Sequence, residues 1–436
     1  MSYKPLTKVV PKKNLLPFIL ITSLFALWGF ANAVTDPMVQ AFKKVLELSN
    51  TEASWVQMAF YGGYFSMALP AALFVRKFSY KTGVLIGLGL YAAGAILFYP
   101  AALTEEFWFF CLGLYILTFG LAFLETTANP YILAMGPEQT ATQRLNLAQA
   151  FNPVGLIGGL LVAQYFVLKQ LKSDDIDNFS LLTETQKILI RTSDLMIIRD
   201  PYVILGFVVI GVFLLIAFNK MPQAKDHNGI PPLKDTFIRL FNNKKYIQGV
   251  LAQVFYVGAQ IMCWTYIYQY SEAIGIESHI AANYQFVAFI IFLAGRAIGT
   301  YLLRFISSGK LLATFSILAG LCAVLTIFVV GFIGLYSLVS ISLFMSIMFP
   351  TIYGIALKGL KEEEAKIGAA GLVMAIVGGA LMPQLQGLII DLGGVEVNDV
   401  LILGVPEVNF SFVLPFLCFL FITYYGIMVY KKFEKG

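Results

Sequence analysis

The stretch Leu121-Ala122-Phe123-Leu124-Glu125-Thr126-Thr127-Ala128-Asn129-Pro130 carries one carboxylate inside an otherwise apolar run. About eighteen apolar-rich residues, Phe107 to Leu124, lead up to it, and Tyr131-Ile132-Leu133 resume the apolar character beyond it. A helix rises 1.5 Å per residue, so about 20 such residues cross the hydrocarbon core of a bilayer. A carboxylate at the centre of such a helix costs roughly 2.5–3.5 kcal/mol on the insertion scale. The segment therefore reads as a transmembrane helix that keeps an acid where acids are costly.

The rest of the chain supports this reading. Its 436 residues are 58% hydrophobic and only 13% charged, with a mean hydropathy of +0.78. Soluble domains are about 25% charged, and here the charges cluster between long apolar runs. Those runs give twelve expected spans, near 17–40, 54–75, 82–103, 107–135, 146–168, 201–219, 247–271, 281–303, 311–330, 333–357, 367–390 and 408–430. Glu105 and Glu106 mark the turn after the third, and Gly331 and Gly334 the turn after the ninth. An all-α membrane protein follows.

Lys and Arg distribution orients it. With the N-terminus inside, 22 of the 30 basic residues fall on the inner side, 7 on the outer side, and Arg296 lies within a span. This asymmetry follows the positive-inside rule, so both termini are expected in the cytoplasm. It also accounts for the net charge of +5 without a nucleic-acid partner. The first apolar run is too long for a signal peptide and has no small-residue cleavage site.

Two polar segments stand out, an outer loop over 169–200 and a basic inner loop over 220–246. The second divides the chain into an N-terminal six-helix half (1–219) and a C-terminal one (247–436). The halves are faintly alike. Arg76-Lys77-Phe78-Ser79-Tyr80-Lys81 pairs with Arg304-Phe305-Ile306-Ser307-Ser308-Gly309-Lys310, and Asn129-Pro130-Tyr131-Ile132 pairs with Phe349-Pro350-Thr351-Ile352. Both pairs are separated by roughly half the chain. Weak repeats in two six-span halves mark the major facilitator fold, with substrate bound near the bilayer midplane.

Of 25 acidic residues, Asp36 and Glu125 lie well inside spans, while Asp391 reads as interfacial. Asp36 precedes Pro37, which tends to interrupt a helix, and Asn32 sits four residues earlier on the same face. The alternative is that Asp36 simply ends the first span at the outer interface. Asn129 shares a face with Glu125 in the same way. A carboxyl removed from water favours its neutral form, which suits a group that takes up and releases a proton. Span direction puts Asp36 nearer the outside than Glu125, an arrangement suited to a relay.

Amides supply the remaining polarity. Asn146, Gln149 and Asn152 recur at three-residue intervals in Arg144-Leu145-Asn146-Leu147-Ala148-Gln149-Ala150-Phe151-Asn152-Pro153. Such a stripe can hold helices together or bind sugar hydroxyls, because an amide both donates and accepts. In the seventh span Gln253, Tyr256, Gln260 and Trp264 recur at helical spacing; aromatic faces beside amides suit a sugar ring, or else a helix interface. Arg296, flanked by Gly295 and Gly299, reads as a gating or pairing residue.

Cys111, Cys263, Cys322 and Cys418 fall in apolar runs with no paired spacing, and His227 and His279 fall in loops. Neither set suggests a disulfide framework or a metal site. No cofactor is implied. An intramembrane enzyme would need paired carboxylates or histidine ligands at close spacing, and no span carries a histidine, which argues against one. The absence of a sizeable soluble domain argues against a sensor.

Several segments resemble the L-fucose:proton symporter family, a sugar branch of the major facilitators. They are Leu124-Glu125-Thr126-Thr127-Ala128-Asn129-Pro130, Arg144 to Gln149 with Phe151-Asn152, Leu251-Ala252-Gln253 with Tyr256 to Gln260 and Cys263-Trp264, and Ala281-Ala282-Asn283-Tyr284. The resemblance extends over nearly the whole chain. It implies that Glu125 carries the coupled proton, that Asp36 engages the sugar and its gate, and that Gln149 and Asn152 are the family's binding amides. It extends the expected sugar-binding set to Asn32, Asn129, Tyr256, Gln260, Trp264 and Asn283, with Phe349 and Arg296 as gating residues. Relatives tending toward glucose and galactose often carry Gln at the Glu125 position, so the acid favours proton coupling and a fucose-like substrate. Two departures bear on specificity. Ala33 and Thr35 stand where the family is richer in Asn, and Phe349 stands where it has Tyr. The expected protein is a monomeric inner-membrane symporter for L-fucose or a close hexose; a glucose, galactose or amino-sugar transporter, with sodium coupling among its options, is the alternative.

Overall fold

The computed structural model describes residues 9–46, 50–172, 182–222, 232–276, 278–390, 392 and 400–434, excluding the side chains of 36–41, 43, 44, 50–54, 57, 168, 278 and 279. His227 and Asp391 lie outside the described residues, as does the side chain of His279. Among the described residues, twelve helices are long and apolar enough to cross a membrane. In order they are Lys12–Thr35, Met58–Lys77, Tyr80–Thr104, Phe107–Ala134, Glu138–Val167, Glu184–Phe218, Lys244–Thr265, Ile280–Leu302, Ser308–Phe328, Phe332–Leu357, Glu362–Ile390 and Glu407–Glu434, here called spans 1 to 12. The protein is a multi-pass membrane protein, as its hydropathy implies.

Contacts divide the chain into two compact units. One comprises Lys13–Tyr131 and Val154–Asp226. Its helices approach closely because glycines line their crossings, the usual device where lipid provides no hydrophobic drive between helices. A Cβ on Gly155 would lie 1.9 Å from the Ala26 carbonyl oxygen, and one on Gly159 2.6 Å from that of Phe30. Spans 1 and 5 therefore touch backbone to backbone. Spans 3 and 4 cross in the same way at Gly94 and Gly120.

The sixth span departs from expectation. Its helix begins at Glu184 and runs 35 residues to Phe218, about 52 Å at 1.5 Å per residue. Residues 184–200 were expected to be loop because their mixed charges give no hydropathy signal. A capping box starts the helix instead, with the Thr183 backbone N–H donating to Gln186 Oε1 at 3.2 Å. Asp194 in this extension is buried and accepts from the Lys172 backbone N–H at 3.0 Å. Glu105, at the turn before span 4 with φ 56°, accepts from the Thr192 hydroxyl.

The other unit comprises Met1–Lys12, Ile132–Pro153 and His227–Gly436. Within it, the segment before span 7 contains a helix, Leu233–Asn242, and Asn243 caps span 7 by accepting from the Tyr246 N–H at 3.2 Å. Arg239 of that helix pairs with Glu364 at 3.1 Å. The all-α expectation fails at four residues. Leu401–Ile402 and Val405–Pro406 pair antiparallel, and Leu403 and Gly404 turn between them with φ of 52° and 81°. Two successive left-handed residues make the tight turn that matches strand twist.

Arg144 organises one end of this unit. Its guanidinium is fully buried and donates to the carbonyls of Ile132 (2.7 Å), Pro137 (3.2 Å) and Val9 (3.0 Å) and to the Thr140 hydroxyl (3.2 Å). A Cβ on Gly136 would sit 2.6 Å from Arg144 Nη1. Glycine there lets the cation collect the last carbonyls of span 4, groups that a helix end leaves unpaired.

Candidate sugar and proton site

Glu125 lies in span 4, 9% exposed, and its Oε2 has no hydrogen-bond partner among the described residues. Asn129, one turn later, donates to the Glu125 carbonyl at 3.0 Å, so its amide is anchored to the helix. Tyr64 of span 2 lies close enough to feel the Glu125 charge. Trp28 of span 1 donates its indole N–H to the Tyr64 hydroxyl at 2.7 Å. An acid with an unpaired oxygen thus shares its electrostatic surroundings with a phenol that accepts from an indole. Such a carboxyl can exchange a proton without breaking an ion pair.

Asp36 lies on the helix Leu15–Val45, and its side chain falls outside the described residues. Pro37 was expected to interrupt this helix, yet the helix continues to Val45. Prolines are tolerated in membrane helices when local adjustments re-satisfy the freed backbone groups. Asn32 is half-buried, and its Oδ1 has no partner among the described residues.

In the other unit the expected stripe of Asn146, Gln149 and Asn152 is interrupted. The helix Ala141–Gln149 stops, and a new one, Asn152–Val162, begins after Phe151. Pro153 explains the break, because it has no N–H to donate to the Gln149 carbonyl four residues back. Asn146 acts as glue, donating to the Thr351 hydroxyl at 3.1 Å and to the Thr142 carbonyl at 3.0 Å. Gln149 is buried and Asn152 half-buried.

Arg296 of span 8 is 3% exposed and donates from Nη1 to Gln149 O at 2.9 Å, the carbonyl to which Pro153 has no N–H to offer. Its Nε donates to the Ser346 carbonyl, and its guanidinium lies 4.7 Å from the Phe292 ring centroid. Span 10 is broken between the helices Phe332–Met345 and Met348–Leu357, and Phe349 is half-buried in the first turn of the second, its ring 6.1 Å from that of Tyr256. Tyr256 is buried and its hydroxyl unpartnered among the described residues. Trp264 packs edge-on against Phe289 and Phe292 and donates to the Ser342 hydroxyl at 3.1 Å. Gln260 is half-buried and Asn283 exposed.

Comparison with known proteins gives this geometry a family. The Major Facilitator Superfamily model matches residues 18–383. The L-fucose-proton symporter of Haemophilus influenzae is 55% identical over 430 residues, covering 97% of this chain and 99% of the relative. The chain belongs to the Major Facilitator Superfamily and, within it, to the L-fucose-proton symporter family. The L-fucose-proton symporter of Escherichia coli is 35% identical over 401 residues, covering 90% of this chain and 91% of that one. A crystal structure of a Major Facilitator Superfamily transporter, FucP, in the outward conformation matches with a TM-score of 0.86 at 34% identity, covering 96% of this chain and 99% of that one.

Sequence reading of this symporter-family chain overlooked several buried polar groups. Tyr64 was not singled out, although a tyrosine in the middle of a span beside Gly62-Gly63 was a usable signal. Gln253, which its helical spacing did single out, is fully buried with both amide atoms unpartnered among the described residues. Asp194 and Glu407 are fully buried carboxylates outside the apolar runs, where hydropathy does not look.

Proposed function

We propose that this protein is a proton-coupled symporter importing L-fucose or a closely related hexose or 6-deoxyhexose by alternating access. The observation that carries the reading is the 55% identity along 97% of the chain to an L-fucose-proton symporter. The unpaired carboxyl of Glu125 supports it chemically. Protonation neutralises a buried charge, so a proton taken from one side can travel with the sugar.

In this reading Glu125 carries the proton and Asp36 takes part in the coupling while engaging the sugar. Asn32, Asn129, Gln149, Asn152, Tyr256, Gln260, Trp264 and Asn283 contribute sugar contacts, and Phe349 and Arg296 gate. The protein works as a monomer in the inner membrane, with both termini in the cytoplasm. Its moving parts are the six-span segments 1–219 and 247–436, joined by 220–246.

Reconstitution tests this. Proteoliposomes with an imposed inward pH gradient should accumulate L-fucose in preference to galactose, arabinose, glucose and mannose, with or without sodium. Accumulation that needs sodium and ignores the pH gradient would overturn the coupling. Preference for another hexose would overturn the substrate.

A further inference from the structure

Two prolines in the Met1–Lys12, Ile132–Pro153 and His227–Gly436 unit break two spans in the same way. In span 5, Pro153 has no N–H for the carbonyl of Gln149, and the helix stops at Gln149. In span 10, Pro350 has no N–H for the carbonyl of Ser346, and the helix Phe332–Met345 stops just before it. Each proline removes the helical N–H donor for the carbonyl four residues before it. Those two carbonyls are the ones that the Arg296 guanidinium bonds, through Nη1 at 2.9 Å to Gln149 and through Nε to Ser346. Span 8 fits close beside span 10 because a Cβ on Gly295 would lie 2.4 Å from the Leu343 carbonyl oxygen.

We infer that Arg296 is a positioning residue that ties the proline break of span 5 to the proline break of span 10. The planar guanidinium presents separate N–H groups in a fixed fork, so one side chain can hold two carbonyls on different helices. Among the described residues, Arg296 has no carboxylate within ion-pair distance, and its hydrogen bonds go to backbone carbonyls on two helices. The breaks stand beside Asn152 on one span and Phe349 on the other. Setting the two breaks together fixes where both side chains point in this conformation, and the bond to Gln149 is one that the proposed movement of 1–219 against 247–436 must remake. This deepens the gating role proposed above and rests on it for its transport arm alone.

The experiment uses Arg296→Lys, Pro153→Ala and the double variant, in the full chain. A lysine is a single point donor and cannot bridge two carbonyls with a fixed fork. Arg296→Lys should lower the maximal L-fucose exchange rate in proteoliposomes several-fold, with a smaller change in KM. Hydrogen–deuterium exchange should rise together over 149–153 and 346–350. Pro153→Ala restores an N–H for the Gln149 carbonyl. In the lysine background it should recover thermal stability but not the exchange rate, because it satisfies one break without tying it to the other.

Full recovery of exchange by Pro153→Ala would overturn the tie and leave Arg296 a simple cap, as would loosening at only one break. If Arg296→Lys does not fold, Pro153→Ala with Pro350→Ala in the Arg296 background replaces it. Local donors then compete for both carbonyls, and exchange should slow; unchanged exchange would overturn the inference. If the wild-type protein moves no L-fucose, the functional reading fails, while the hydrogen-exchange arm still decides the tie.

Discussion

Trp28 of span 1 donates its indole N–H to the hydroxyl of Tyr64 of span 2 at 2.7 Å, and Tyr64 lies within reach of the Glu125 charge. Both donor and acceptor are buried. Replacing only the indole leaves a buried hydroxyl unpaired, which costs about 1–3 kcal/mol, whereas removing both partners costs less. Trp28→Phe should therefore lower the melting temperature in detergent, and adding Tyr64→Phe should recover part of the loss. Strictly additive losses would show that the bond does not couple them.

Glu125→Gln keeps the size of the side chain and removes its proton chemistry. Gradient-driven sugar accumulation should fall to the level of protein-free vesicles. Exchange of sugar across the membrane without a gradient should persist and lose its pH dependence. Equal loss of both activities would remove Glu125 as the proton carrier.

Arg144 holds carbonyls at the end of span 4 and the carbonyl of Val9. A lysine cannot reach them all at once, and each buried carbonyl left unpaired costs about 1–3 kcal/mol. Arg144→Lys should lower the yield of monodisperse protein and its melting temperature, with transport per folded molecule affected less. A wild-type melting temperature would contradict the account of this cluster.

Gly155→Ala places a methyl carbon 1.9 Å from the Ala26 carbonyl oxygen, so spans 1 and 5 must separate. Overpacking of this kind costs about 1–3 kcal/mol, sometimes more. Gly89→Ala is the control, since nothing lies within 4 Å of its added carbon. Size-exclusion profiles and melting curves should separate the two variants, with only Gly155→Ala destabilised.

The fold was legible because membrane insertion imposes a coarse rule, about 20 apolar residues per crossing. That rule found twelve spans, and the positive φ of Glu105 and Gly331 bears out the turns expected at those positions. The rule was silent where structure lies outside the hydrocarbon. The charged start of span 6, the linker helix Leu233–Asn242 and the short hairpin all fold without an apolar run long enough to announce them.

The candidate site was partly legible for a related reason. Glu125 is conspicuous because a carboxylate is costly in a span, but tyrosine is ordinary there, so Tyr64 carried little signal. The break in span 5 was written in the sequence as Pro153. Its partner, Arg296, lies 143 residues further on by their numbers, and no local pattern connects them.

The bond from Arg144 to the Val9 carbonyl has a consequence for how the protein is made. Chains emerge N-terminus first, so Val9 leaves the ribosome long before Arg144 does. Its clasp cannot close until four spans have been threaded and the fifth has begun. Through that interval the leading segment must wait without its final partner, available to the insertion machinery. A fusion placed ahead of Val9 would therefore be judged less by the finished molecule than by whether it delays this last fastening.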